Sequence, residues 1–309
     1  MLSGFSQLEK SVMQTLAWFD IFEYPLTLVE LKKYLWDFDR EISLVEIQNV
    51  LDKLENFKNF QGFYFLKNRE NSIVENRLRK YNISETKFKK RAWVFKIIAL
   101  IPFVRLVGIC NTMAYRGAKA ESDIDLFVIT EKNRLWWTRF LILSFLSVFR
   151  LRPQKNNFQN KICLSFFVDT TKLNLAELKK GEDDIYFYFW LAHLWPVYNE
   201  NIYHDFWQEN SWLKAKLKFV APQELNSHYK IKLAVIVQLL KRWFEGIINL
   251  LAGGWTENFL MNFQLNKIPS AISDKMNLGS EVVINEHVFK AHTGDRRGEY
   301  QKIFEDKLK

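Results

Sequence analysis

The chain has 309 residues, 48% of them hydrophobic and 16% aromatic, with only 11 Gly and 6 Pro. That length and that composition describe folded units with their own cores and exclude a disordered or low-complexity chain. The net charge of +9 fits an anionic partner, and the two cysteines, Cys110 and Cys163, lie in apolar runs without disulfide or metal spacing and read as reduced.

The opening residues MLSGFSQLEKS lack the basic flank and apolar block of a signal peptide, which with the reduced cysteines predicts a cytoplasmic protein. From Ser6 to Phe22 apolar residues recur at helical spacing. Thr27 with Glu30, and Ser43 with Glu46, are two capping boxes that predict helices to about Trp36 and about Asn56. In GFYFLKNRENSIVENRL a β-prone run, a polar turn at 68–71 and a second extended run predict a hairpin. Three short helices and a hairpin resemble a winged helix, assigned to residues 1–82. Its third helix carries Glu46, Asp52 and Glu55 against Lys53, an acidic surface that repels phosphates and argues against sequence-specific DNA reading. The basic cluster from Arg77 to Arg91 leaves room for non-specific nucleic-acid contact.

A second region, 83–180, alternates helices and strands. A helix through KFKKRAWVFKIIAL stops before Pro102, FVRLVGI and DIDLFVIT read as buried strands, a helix fills 133–151, and KICLSFFVD is a third strand. The region from 181 to 309 reads as mainly helical: a helix through EDDIYFYFWLAHLWPVY, helical patterns at 212–219 and 229–251, an extended piece EVVINEHVFKAH and a terminal helix near Asp295. The fold class expected is α+β, with a small mixed sheet and flanking helices at its centre. Leu233 to Trp255 is the most apolar segment, but Lys241, Arg242 and Glu245 sit at its centre. Each charge there would cost roughly 2.5 to 3.5 kcal/mol in a bilayer, so a buried or surface-lying helix is expected and no membrane span.

The chemistry concentrates at SDIDL. Asp123 and Asp125 are two apart on a strand, so both project from one face, about 7 Å apart along it, and can share or grip divalent ions. Before them, ICNTMAYRGAKAES places Asn111 and Thr112 at a strand end where amides and a hydroxyl can hold phosphate oxygens. The pattern resembles the nucleotidyltransferase superfamily of DNA polymerase beta and the minimal nucleotidyltransferases: an apolar strand, Gly-Ser, about ten residues, then Asp-x-Asp in an apolar strand. Asn111 and Thr112 stand at the Gly-Ser, and Ala114, Ala118 and Ser122 at positions the minimal enzymes commonly fill that way. Arg116 stands where a glycine is usual, one residue before Gly117, and adds a cation near the expected phosphates.

The resemblance implies a magnesium site, of two ions if active, on Asp123 and Asp125, with Asn111, Thr112, Arg116 and Ser122 toward a nucleoside triphosphate such as ATP. It also implies a further carboxylate from a later strand. Asp169 is the candidate, as general base; Asp183 and Asp184 are substitutes, and Ser165 stands at the strand centre. The activity implied is transfer of a nucleoside monophosphate to an unidentified acceptor with release of pyrophosphate. The alternative is a catalytically degenerate nucleotide-binding protein, or a regulatory protein binding nucleic acid or protein through the winged-helix-like domain. What separates the two is whether a third carboxylate converges with Asp123 and Asp125 beside Thr112. His292, near Asp295, Arg296 and Arg297, marks a substrate-contacting tail.

Overall fold

The computed structural model describes residues 4–154, 157–292 and 294–309. Three capping boxes organise its first part. Ser6, Thr27 and Ser43 each exchange hydrogen bonds with the glutamate three residues on, satisfying the free amides that open α1 (Gln7–Asp20), α2 (Leu28–Lys33) and α3 (Leu44–Lys53). A two-residue strand β1 (Leu26–Thr27) precedes α2. The hairpin falls earlier than expected: β2 (Phe57–Phe60) and β3 (Phe63–Leu66) pair antiparallel, with β1 on the other side of β3. Gln61 and Gly62 both take positive φ, 53° and 80°, as a two-residue primed turn requires.

SIVENRL, expected as the second strand of that hairpin, instead opens α4 (Ser72–Leu100). At 29 residues this helix is about 44 Å long, and it carries the chain across the boundary expected at 82/83. Its basic cluster is not a solvated face. Arg77 pairs with Glu30 at 2.6 Å and lies over the rings of Tyr24 and Phe63. Lys80 reaches Phe22 O, Lys87 reaches Ala120 O and Ser122 O, and Arg91 reaches Asn160 O. Only Arg79, Lys89 and Lys90 of the cluster remain exposed, so most of these cations tie α4 to its neighbours.

Next come β4 (Val104–Ile109), the single turn α5 (Asn111–Ala114), β5 (Ile124–Thr130), α6 (Leu135–Val148), β6 (Ile162–Asp169), α7 (Ile185–Ala192) and β7 (Trp195–Asn199). β7 corrects the helix expected to Tyr198: the chain leaves α7 at His193 and WPVYN pairs antiparallel with β4. Pro196 is tolerated because β7 is an edge strand. After α8 (Tyr203–Glu209) only a short 3-10 turn, Ser211–Ala215, occupies the next expected helix. Then follow α9 (Val235–Leu251), α10 (Gly254–Leu265), the one-turn α11 (Ser270–Ser273), the hairpin β8 (Val282–Ile284) and β9 (Val288–Ala291), and α12 (Arg297–Lys307).

The fold is thus α+β, with a mixed six-stranded sheet in the order β7-β4-β5-β6-β9-β8, in which only β5 and β6 run parallel. The boundary expected at 180/181 divides this one sheet. Its two faces are packed differently. Phe127, Ile129, Phe166 and Val168 join the first core, with α7 and the N-terminal helices; Trp18 of α1 stacks on Phe189 of α7 at 5.6 Å. Leu126, Val128, Leu164 and Phe167 join the second, with α4 and α6.

Candidate metal site and adjoining cavity

The site grows from the ends of β4 and β5. Asn111 follows β4 with φ 54°, the left-handed region that Asn enters more readily than most residues, and so turns the chain at the end of the strand. The amide of Cys110 donates to Asp125 O at 3.0 Å, holding the turn against β5. The Asn111 side chain favours the anion of Asp125, and its Oδ1 accepts from Tyr186 Oη at 3.4 Å. Farther on, Gly117 is required: a Cβ there would stand 2.1 Å from the ring of Tyr115. Lys87, almost wholly buried, donates to Ala120 O at 2.8 Å and to Ser122 O at 2.6 Å. It fixes the segment that delivers Asp123.

Asp123, Asp125 and Cys163 bring a ligand atom each to within 4.8 Å of one another. The parallel register sets Cys163 beside Asp125. Burial and the charge of Asp123 push the Asp125 carboxyl up to about 6, against hydrogen bonds from Asn111 and Cys163 that favour its anion. Burial also raises Asp123, opposed in part by Lys87. The Cys163 thiol is held well above its usual range by burial and by both aspartates. Two crowded carboxylates beside a neutral thiol are an arrangement that a divalent cation relieves.

Asp169 is not part of this cluster. A bulge opposite the Asp125–Phe127 step of β5 inserts one residue into β6, so Cys163 and Asp169, which strict alternation would set on one face, lie on opposite faces. Phe167 therefore sits on the face of Val128, and Asp169 pairs with Thr130, five residues along β5 from Asp125 or about 17 Å. Its carboxylate accepts from the amides of Asn133 and Thr171 at 3.0 and 2.9 Å and meets His287 Nδ1 at 2.7 Å. The substitutes are engaged as well: Asp183 with Lys216, Asp184 with the first turn of α7 and with Arg297. Ser165 faces the Cys163 thiol, and its buried hydroxyl has no other partner among the described residues. Among those residues no third carboxylate joins the pair.

Arg116 is likewise turned away. Its guanidinium pairs with Glu85, bonds Tyr229 Oη at 3.0 Å and lies over the rings of Tyr81 and Trp195, so it locks α4 to the loop and offers no free cation.

Beside the cluster of Asp123, Asp125 and Cys163 a cavity of about 450 Å³ is lined by Asn111, Thr112 and Ser122, three of the residues the sequence singles out. The rest of its wall was not legible locally. Trp18 and Phe22 come from α1, Tyr186 and Trp190 from α7, and Arg296 and Tyr300 from the C-terminal segment, with Lys80 and Lys119 adding charge. A second cavity of about 190 Å³ shares Asn111, Tyr186 and Arg296 and adds Lys290, His292, Asp295 and Arg297. His292 thus lines a cavity that borders the first one, and burial drives its imidazole down to about 4, which keeps it neutral. Compared with protein-family models, with curated proteins and with solved structures, the chain matches none.

Proposed function

We propose that the protein is a magnesium-dependent nucleotidyltransferase that moves a nucleoside monophosphate from a nucleoside triphosphate to an acceptor. The observation that carries this reading is the convergence of Asp123 and Asp125 beside an aromatic cavity whose wall includes Thr112 and Ser122. The N-terminal helices and hairpin are read as a winged-helix-like domain that serves here to close the site, since α1 supplies Trp18 and Phe22. The donor set fits one hard cation: two carboxylates, with its remaining positions left to water and phosphate oxygens. A thiol is a poor ligand for magnesium, so Cys163 acts as a hydrogen-bond donor to Asp125.

In the reaction, an acceptor oxygen attacks the α-phosphorus in line, the bond to the β-phosphate oxygen breaks, and pyrophosphate leaves. A bound metal ion supplies charge neutralisation at the phosphates. The stacked pair Tyr186 and Tyr300 in the cavity wall suits a base laid against it, Arg296, Lys80 and Lys119 attract the triphosphate, and the hydroxyls of Thr112 and Ser122 donate to its oxygens. The smaller cavity, which shares Asn111, Tyr186 and Arg296 with the larger one, is read as the acceptor's side. Cys163 holds its proton and cannot serve as base, so the acceptor proton passes to water or to a substrate phosphate.

The position of Asp169 favours a second reading, a protein that binds nucleotide without turning it over. Screening the four nucleoside triphosphates with candidate acceptors, magnesium and a pyrophosphate readout separates the two. The enzyme reading expects release that Asp123→Ala and Asp125→Ala each abolish; magnesium-dependent nucleotide binding without release for any combination would select the second.

A further inference from the structure

Helix α9 turns its polar side inward and its apolar side outward, and α10 beside it in the chain also buries polar groups while leaving large apolar side chains outside. Lys241 and Glu245 are the buried residues of α9, whereas Leu239, Trp243, Phe244 and Leu250 are each half or more exposed. On α10, Glu257 and Gln264 are buried alongside Leu260, while Trp255 and Phe259 are 71% and 61% exposed. This orientation is fixed from within. Lys241 donates to Val104 O at 2.7 Å and pairs with Glu200 at 3.1 Å; Glu245 accepts from the Phe103 amide and from Arg105. Glu257 accepts from the amides of Trp136 and Trp137 that open α6, and Gln264 bridges Arg139 and Trp136 O. Rotating either helix to hide its apolar side would strand these groups, each at a cost of about 1 to 3 kcal/mol. A contiguous apolar face of this kind marks an interaction surface.

Its charge says what covers it. Between residues 230 and 273 the only carboxylates are Glu245 and Glu257, both turned inward, while Lys230, Lys232 and Lys267 are exposed. Lys267 lies 3.9 Å from the centroid of the Phe263 ring. The outward surface is therefore largely apolar, carries two exposed tryptophans, and receives lysines but no carboxylate from this segment. The polar side chains of α9 point away from it: Gln238 to Leu233 O, Asn249 to Arg134, Arg242 to Glu200. Such a face offers a protein partner few groups for a specific register. It suits a fluid surface in which tryptophan sits at headgroup level and lysines meet anionic lipid.

We propose that the α9–α10 face lies in the plane of an anionic bilayer surface, its apolar side chains at the headgroup and acyl boundary. No helix among the described residues is long and apolar enough to cross a membrane, so the attachment is in-plane. The inference is independent of the nucleotide reading. The test is flotation of the full chain with vesicles of phosphatidylcholine containing phosphatidylglycerol, against vesicles of phosphatidylcholine alone. Binding to the anionic vesicles is expected to be roughly tenfold or more stronger, with a blue shift of tryptophan emission, and to weaken but persist in high salt. The double variant Trp243→Ser, Phe244→Ser is expected to lose roughly tenfold or more of that binding with its thermal unfolding unchanged, because both side chains are exposed. Lys232→Glu with Lys267→Glu should reduce anionic binding only. Absence of vesicle binding, anionic binding insensitive to Trp243→Ser with Phe244→Ser, or a lipid-free dimer that shields Trp243 and does not bind vesicles would each overturn the proposal.

Discussion

Glu245 is where the inside-out packing of α9 is most exposed to test. Its side chain is 5% exposed, accepts from Arg105 at 2.9 and 2.7 Å and from the Phe103 amide at 2.5 Å. Glu245→Ala removes all three bonds and leaves Arg105, also 5% exposed, with Glu200 at 3.2 Å and Glu131 at 2.8 Å as remaining partners. Breaking one side of a buried pair costs about 3 to 5 kcal/mol, and the remaining carboxylates place this loss near the lower end, about 3 kcal/mol. With roughly 2.1 cal/mol/K of unfolding entropy per residue and 309 residues, the midpoint should fall by about 5 °C. Urea and thermal unfolding measure it, and hydrogen exchange of α9 separates local detachment from global loss. The decisive comparison is Glu245→Leu with Arg105→Met, which removes both charges and should cost less than Glu245→Leu alone. A loss below about 1 kcal/mol for Glu245→Ala, or a double variant costing the sum of its singles, would refute the claim that this pair sets the orientation of α9.

Other residues make equally direct claims. Lys87→Met should weaken magnesium binding by roughly tenfold, as loss of an outer-shell contact does, because the carbonyls of Ala120 and Ser122 lose their donor. Titration calorimetry checks it, with partial rescue expected in Lys87→Arg; tighter binding would show that the lysine acts only as a competing charge. His193 is buried, stacked on Tyr34 at 4.4 Å, and driven down to about 4 by that burial. Its folded value lies below the unfolded one near 6.5, so the unfolded state binds more protons between the two and stability falls as pH drops from about 7 toward 4. At pH 5 the loss is about 2 kcal/mol; unfolding of His193→Phe should show a shallower acid slope, and an unchanged slope would refute the assignment.

Local chemistry was legible, and long-range geometry was not. The capping boxes at Thr27 and Ser43 and the strands FVRLVGI, DIDLFVIT and KICLSFFVD are recorded within a few residues of themselves, and they form within a residue or two of where they were expected. The turn at Gln61–Gly62 was missed because Gln is not a turn former, and Gly62 alone supports several registers. β7 was hidden in a run apolar on every side, where helical and strand periods cannot be told apart. The face of Asp169 depended on a bulge that no alternation rule contains. The amphipathic pattern of α9 is plain in the sequence, but its direction depends on Arg105 and Glu200, residues distant in the chain whose charges need Lys241 and Glu245. In the candidate site, Asp123, Asp125, Asn111, Thr112 and Ser122 were legible because they cluster in one strand-loop-strand; the aromatic wall comes from three distant helices.

The placement of the two surfaces ties these points together. α9 is fastened at the start of β4, through Phe103, Val104 and Arg105, whereas Asn111 follows its far end, roughly 20 Å away along the strand. α10 packs on α6, on the side of the sheet that carries Leu126 and Val128; the cavity opens on the other side, with Trp18, Phe189 and His193 in its wall. A bilayer under α9 and α10 therefore leaves Asn111 and Thr112 facing water. Nucleotide affinity, measured by equilibrium dialysis with and without anionic vesicles, should agree within about twofold, since sites coupled to one another typically differ by fivefold or more. Nucleotide excluded by vesicles would mean that lipid covers the Trp18 side of the sheet, and the orientation derived from Lys241 and Glu245 would be wrong.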